Sequence, residues 1–102
     1  MIQKKFVKAG DWRTLNWFWN VKATLFFAGH AGAQIKVRYG NGWPIGYDSQ
    51  KQTLDGRNYK KLTVGIVSVA YARAQIRVGS DTEVTYDLYM GDVAVNSPEI
   101  PF

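Results

Sequence analysis

Residues 33–39 read AQIKVRY, and the order of apolar and polar side chains in this stretch decides the fold. Ala33, Ile35, Val37 and Tyr39 alternate with Gln34, Lys36 and Arg38. A period of two places successive side chains on opposite faces of a strand. The stretch therefore predicts a β-strand with an apolar face in a core and a basic face turned outward. The string then returns: AQIKV at 33–37 becomes AQIRV at 74–78, an offset of 41 residues.

Two readings of that return stand side by side. Carried backwards, the offset aligns Val21, Ala23 and Leu25 with Leu62, Val64 and Ile66, and Ala31 with Ala72, as a duplicated hairpin in a pseudo-symmetric sandwich requires. Against this, Ala70-Tyr71 has no glycine turn like the first copy's, so the second copy reads equally as one long bent strand. Five residues drawn from a strand alphabet also coincide by chance. Two copies are too few for a solenoid, which needs at least about three.

The same alternation runs outward in both directions. Trp17 to Phe27 reads as one strand, with Trp17, Trp19, Val21, Ala23, Leu25 and Phe27 on the core face. Leu62, Val64 and Ile66, then Ala72, Ala74, Ile76 and Val78, then Val84, Tyr86 and Leu88 give three more. Shorter candidates lie at Ile2 to Val7 and Asp92 to Val95. Turn residues separate the runs: Ala28-Gly29-His30-Ala31-Gly32, Asn41-Gly42, Asp55-Gly56 and Gly79-Ser80-Asp81. Asn-Gly and Asp-Gly suit hairpin turns whose central residues need positive φ. Asp11 to Leu15 also fits a short helical turn capped by Asp11. The expected fold is all-β: a single antiparallel β-sandwich, jelly-roll-like, of about six to eight strands. It spans residues 1–95, and an extended tail at 96–102 carries two prolines.

Bulk composition agrees. The chain has 102 residues, enough for one domain with one core. Aromatic residues make up 15%, four of them Trp, and strand formers outnumber helix formers. Cysteine is absent, which removes disulfides, thiolate metal sites and cysteine nucleophiles together. The first residues, MIQKKFVKAGDW, lack the apolar run of a secretory signal. No stretch approaches the roughly 18 apolar residues of a membrane-spanning helix. A cytoplasmic location is the default expectation, and export without a cleaved signal fits the same residues.

Catalysis is not expected. The single histidine, His30, sits in the turn AGHAG, away from any serine in a Gly-x-Ser-x-Gly elbow. Asp11, Asp48, Asp55, Asp81, Glu83, Asp87, Asp92 and Glu99 are scattered as solvated carboxylates are. No calcium loop, phosphate loop or dinucleotide fingerprint matches, so neither a metal nor a cofactor is expected.

Binding is the better expectation, and the aromatic residues point to it. In RYGNGWPIGYD, residues 38–48, Trp43 follows an Asn-Gly turn and precedes Pro44, which cannot donate to a sheet ladder. Flat rings beside amide and carboxylate groups suit a sugar, whose C–H face lies on the ring while its hydroxyls meet the polar groups. The candidate glycan site is therefore Trp43 with Tyr47 and Tyr39, Asn41 and Asp48, and Trp12 as a further ring. The alternative for Trp43 is a lid folded over one end of the core. The net charge is +5, and the outward cations Lys36, Arg38, Arg73 and Arg77 suggest a face for nucleic acid or another polyanion. The leading expectation is a non-catalytic, lectin-like carbohydrate-binding module. A homo-oligomeric assembly subunit of phage or secretion type is the second, and polyanion binding through the basic face the third.

Overall fold

A computed structural model describes residues 1–19, 21–40, 46–56, 59–65, 71–94, 96 and 98, with only the backbone described at 46 and 47. In chain order the strands are β1 (Ile2–Val7), β2 (Arg13–Trp19), β3 (Ala23–Phe27), β4 (Gln34–Gly40), β5 (Gly46–Asp48), β6 (Gln52–Thr53), β7 (Lys60–Val64), β8 (Tyr71–Arg77) and β9 (Thr82–Met90). They form two four-stranded antiparallel sheets packed as a sandwich, in the orders β1-β9-β3-β7 and β2-β8-β4-β5. The two-residue β6 adds a short pairing to β4. The first four strands alternate between the sheets, so each connection passes from one sheet to the other.

The core lies where the alternation predicts for β4, β7, β8 and β9. Ile35, Val37, Leu62, Val64, Ala72, Ala74, Ile76, Val84 and Tyr86 are all buried in one cluster. The two related strings are neighbours. Antiparallel β4 and β8 set Ile35 opposite Ile76, with Gln34 opposite Arg77 and Lys36 opposite Gln75. The pairing is symmetric about the two isoleucines, so each copy's basic residue faces the other copy's glutamine.

Three expectations are overturned. Trp17 and Trp19 are not core residues: they are 58% and 59% exposed, while Phe18 between them is buried. The run from 17 to 27 is two strands in different sheets, and the step between them resets the phase. Odd positions face the core in β3 (Ala23, Leu25, Phe27), whereas Phe18 does so in β2. A register shift between Thr14 and Asn16 gives β2 one extra residue, and Leu15 at that shift is buried as well. The helical turn at Asp11 to Leu15 does not form, because Arg13 already pairs with Ile76 as β2 begins. No strand occupies Asp92 to Ala94. Val95, Ile66, the Asn41-Gly42 turn and most of the tail lie outside the described residues.

The chain after β9 instead covers the outer face of the first sheet. The Thr24 hydroxyl donates to the Gly91 carbonyl at 2.8 Å, and the Gly91 amide donates to the Lys22 carbonyl at 2.6 Å. Lys61 donates to Asp92 at 2.6 Å and to the Val93 carbonyl at 2.9 Å. Under this cover Phe26 and Ala28 form a second apolar cluster with Tyr59, Tyr89 and Val93. All five residues of β3 are thus buried, Phe26 and Thr24 on the face away from the main core.

This register predicts an asymmetry among adjacent residues of β2. Phe18→Ala should lower unfolding free energy by about 3–5 kcal/mol, as truncation of a buried Phe does. Trp17→Ser and Trp19→Ser should each cost no more than about 1 kcal/mol. Urea titrations of the three variants measure this, and a Trp variant costing as much as Phe18→Ala would contradict the register.

Candidate functional site on the open sheet

The outer face of the second sheet has no comparable cover among the described residues, and strand register arranges its side chains in rows. In the first row Trp19 lies opposite Tyr71, Tyr71 opposite Gly40, and Gly40 opposite Gly46. Two aromatic rings are therefore followed by two positions with no side chain. The second row is Trp17, Arg73, Arg38 and Asp48. The third brings Thr14, Gln75 and Lys36 together, and the fourth pairs Arg77 with Gln34.

The rings form a continuous group. Trp19 stacks on Tyr71 with centroids 6.2 Å apart and planes 25° apart. Trp17 meets the same Tyr71 at 5.2 Å, tilted by 57°. Such offset and tilted arrangements suit the ring quadrupoles, and they leave broad faces of both tryptophans in solvent.

Asp48 organises the charges beside them. Its two carboxylate oxygens accept hydrogen bonds from Lys36 Nζ and Arg38 Nη1, both at 2.9 Å. Partial burial of the carboxyl opposes its ionisation, but the two cations prevail and hold its pKa below the ordinary value of 3.8. The Lys36 side chain is only 8% exposed, and its ammonium also lies 4.2 Å from the centre of the Trp12 ring. Arg77 approaches the same ring at 5.1 Å and donates to Gln34. Trp12 is thus a partly buried cover over the two cations that the repeated string places symmetrically, held there by cation–π attraction.

Arg73 is the exception. It lies directly opposite Arg38, an arrangement of like charges that is unfavourable across a strand pair. Asp48 serves Arg38, whereas the Arg73 guanidinium rests 4.8 Å from the centre of the Trp17 ring. Its Nε is buried without a hydrogen-bond partner among the described residues.

The residues expected to bind from sequence are distributed unevenly. Trp43 and Asn41 lie outside the described residues, as does the side chain of Tyr47. Tyr39 points inward, half-buried against the main core. Asp48, Lys36, Arg38, Arg73 and Arg77 all come together on the open face. Trp17, Trp19 and Tyr71 are what sequence reasoning missed. The signal that could have exposed them is the Asn20-Val21-Lys22 step, where a turn former and a lysine interrupt the apolar run.

Elsewhere the surface has shallow depressions. One of about 470 Å³ lies at the end of the sandwich between Gly10, Gly32, Gly79, Gln34 and Arg77. A smaller one of about 130 Å³ adjoins it beside His30 and Ser80. His30 has a φ of 55°, the left-handed conformation its glycine-flanked turn requires. Among the described residues no group of three His, Cys, Asp or Glu side chains is placed to hold a metal ion. No protein-family model matches the chain, and neither a curated protein nor a solved structure matches it.

Asp48 has a testable linkage to pH. Its depressed pKa means that its stabilising contribution is complete above the unfolded-state value and is lost as pH falls through the lower folded value. Asp48→Asn should cost about 1–3 kcal/mol at pH 7, because it leaves the Lys36 charge without its carboxylate. The difference from wild type should shrink below about pH 4. Thermal melts of both proteins between pH 2.5 and pH 7 would show it, and a gap constant across that range would contradict the assignment.

Proposed function

We propose that the protein is a non-catalytic, lectin-like carbohydrate-binding module whose ligand lies across Trp19, Tyr71 and Trp17. The observation that carries this reading is the pair of tryptophans presented to solvent from regular strand positions. Burying a large apolar side chain is worth roughly 1.5–3 kcal/mol, so two such rings left bare are available to a partner. Ring faces receive the C–H face of a pyranose, and the adjacent Arg38, Asp48 and Gln75 can hydrogen-bond its hydroxyls.

β4 ends at Gly40 and β5 begins at Gly46, and these two glycines pair in the row of Tyr71 and Trp19. We extend the proposal to Trp43 and Asn41, a ring and an amide of the kind a sugar site uses. We read the strand order as that of a jelly roll, an architecture found in lectin and capsid domains, although architecture does not decide function. A second reading, a homo-oligomer, draws on the position of Trp17 and Trp19 on β2, an edge strand of its sheet.

A glycan array followed by fluorescence titration of the best ligand tests the proposal. Trp17→Ala and Trp19→Ala should each weaken binding about tenfold or more, equivalent to about 1.4 kcal/mol, and Trp43→Ala should weaken it less. A blank array, or affinity unchanged by both β2 variants, would overturn the reading. Light scattering on the same samples would then decide whether the rings are buried between subunits.

A further inference from the structure

We infer that the sugar bound by this face is an anionic one, with a carboxylate or sulfate group received by the guanidinium of Arg73. The inference rests on the carbohydrate reading above and narrows its substrate class. Lys36, Arg38, Arg73 and Arg77 share this face with the carboxylate of Asp48, and Lys51 adds a cation beside the Trp12 ring. Lys36 and Arg38 occupy both oxygens of Asp48. Arg77 is engaged by Gln34 and the Trp12 ring. Arg73 has only the Trp17 ring, with no hydrogen bond or ion pair to a described residue.

The opposite sheet shows what the alternative looks like. There Lys61 has Asp92 at 2.6 Å and a backbone carbonyl at 2.9 Å. On the open sheet an arginine is instead held against another arginine and beneath a tryptophan. Its Nε is buried without a partner among the described residues, and its guanidinium is held 4.8 Å from the centre of the Trp17 ring. A guanidinium presents paired donors matched to a carboxylate or sulfate. Stacking on Trp17 keeps that fork oriented while the neighbouring rings take the apolar face of the sugar. An anion here would also offset the repulsion between Arg73 and Arg38.

The test compares neutral, carboxylate-bearing and sulfate-bearing glycans on one array. It is followed by titration with cellohexaose, hexagalacturonate and a heparin-derived hexasaccharide. Wild type should prefer an acidic ligand at least tenfold. Arg73→Gln should reduce the acidic-to-neutral affinity ratio to about one, with Arg73→Lys between it and wild type and circular dichroism confirming the fold of each. The carboxylate and sulfate arms show which anion is used. Equal binding of neutral and acidic glycans, or a preference that survives Arg73→Gln, overturns the inference and leaves the carbohydrate reading standing. Failure of every glycan overturns both. Tighter binding of a ten-nucleotide oligothymidylate, with a steep loss in salt, overturns both in favour of single-stranded nucleic acid.

Discussion

The pairing of β4 with β8 about Ile35 and Ile76 constrains everything around it. Both strands are interior to their sheet, so each must satisfy a neighbour on either side while sending one face into the core. Ile35, Val37, Ala72, Ala74 and Ile76 occupy that inner face. The outer face is left to lysine, arginines and glutamines at fixed cross-strand positions. A slip of one residue would exchange the two sets and bury the cations, so the core and the charged face are specified by the same pairing. Trp12, Asp48 and Trp17 then follow as responses to charges that the register has already placed.

Those responses differ in kind. Asp48 neutralises by ion pairing, and its two bonds tie β5 to two successive outward residues of β4. Trp12 and Trp17 act through their ring faces, which stabilise a cation while excluding water from one side of it. Lys36 receives both treatments, and so a charged side chain is kept almost wholly buried. An isolated buried ammonium would be costly. Here the carboxylate and the ring together replace its hydration.

Much of this was legible in the sequence. Alternation in AQIKVRY, in Ala72 to Val78 and in Val84 to Leu88 identified strands and assigned their inner faces, because each run has only one apolar phase. Trp17 to Phe27 failed for the opposite reason: it is apolar in both phases. Phe18 and Phe26 compete with Trp17, Trp19 and Leu25, and periodicity has nothing to choose between them. The break at residues 20–22 put the two halves into different sheets with opposite phase. Phe26 is buried on the outer face for a reason no local pattern contains, namely that the chain after β9 returns across it. The same limit applies to the candidate site. The basic members were visible as outward residues of two strands, but the rings beside them depend on which strand is the neighbour of β8.

That returning chain gives the molecule two unlike sides. On one sheet Tyr59, Tyr89 and Val93 cover Phe26 of β3, while on the other Trp17 and Trp19 stand without such a cover among the described residues. A polymer held by the open side alone would be coated by single copies, each facing it in the same orientation, and two strands of polymer would not be bridged by one copy. Agglutination or gelling would demand that copies be joined back to back, through the other sheet or an edge. For the proposed site, adhesion would thus need one copy of the chain and cross-linking two.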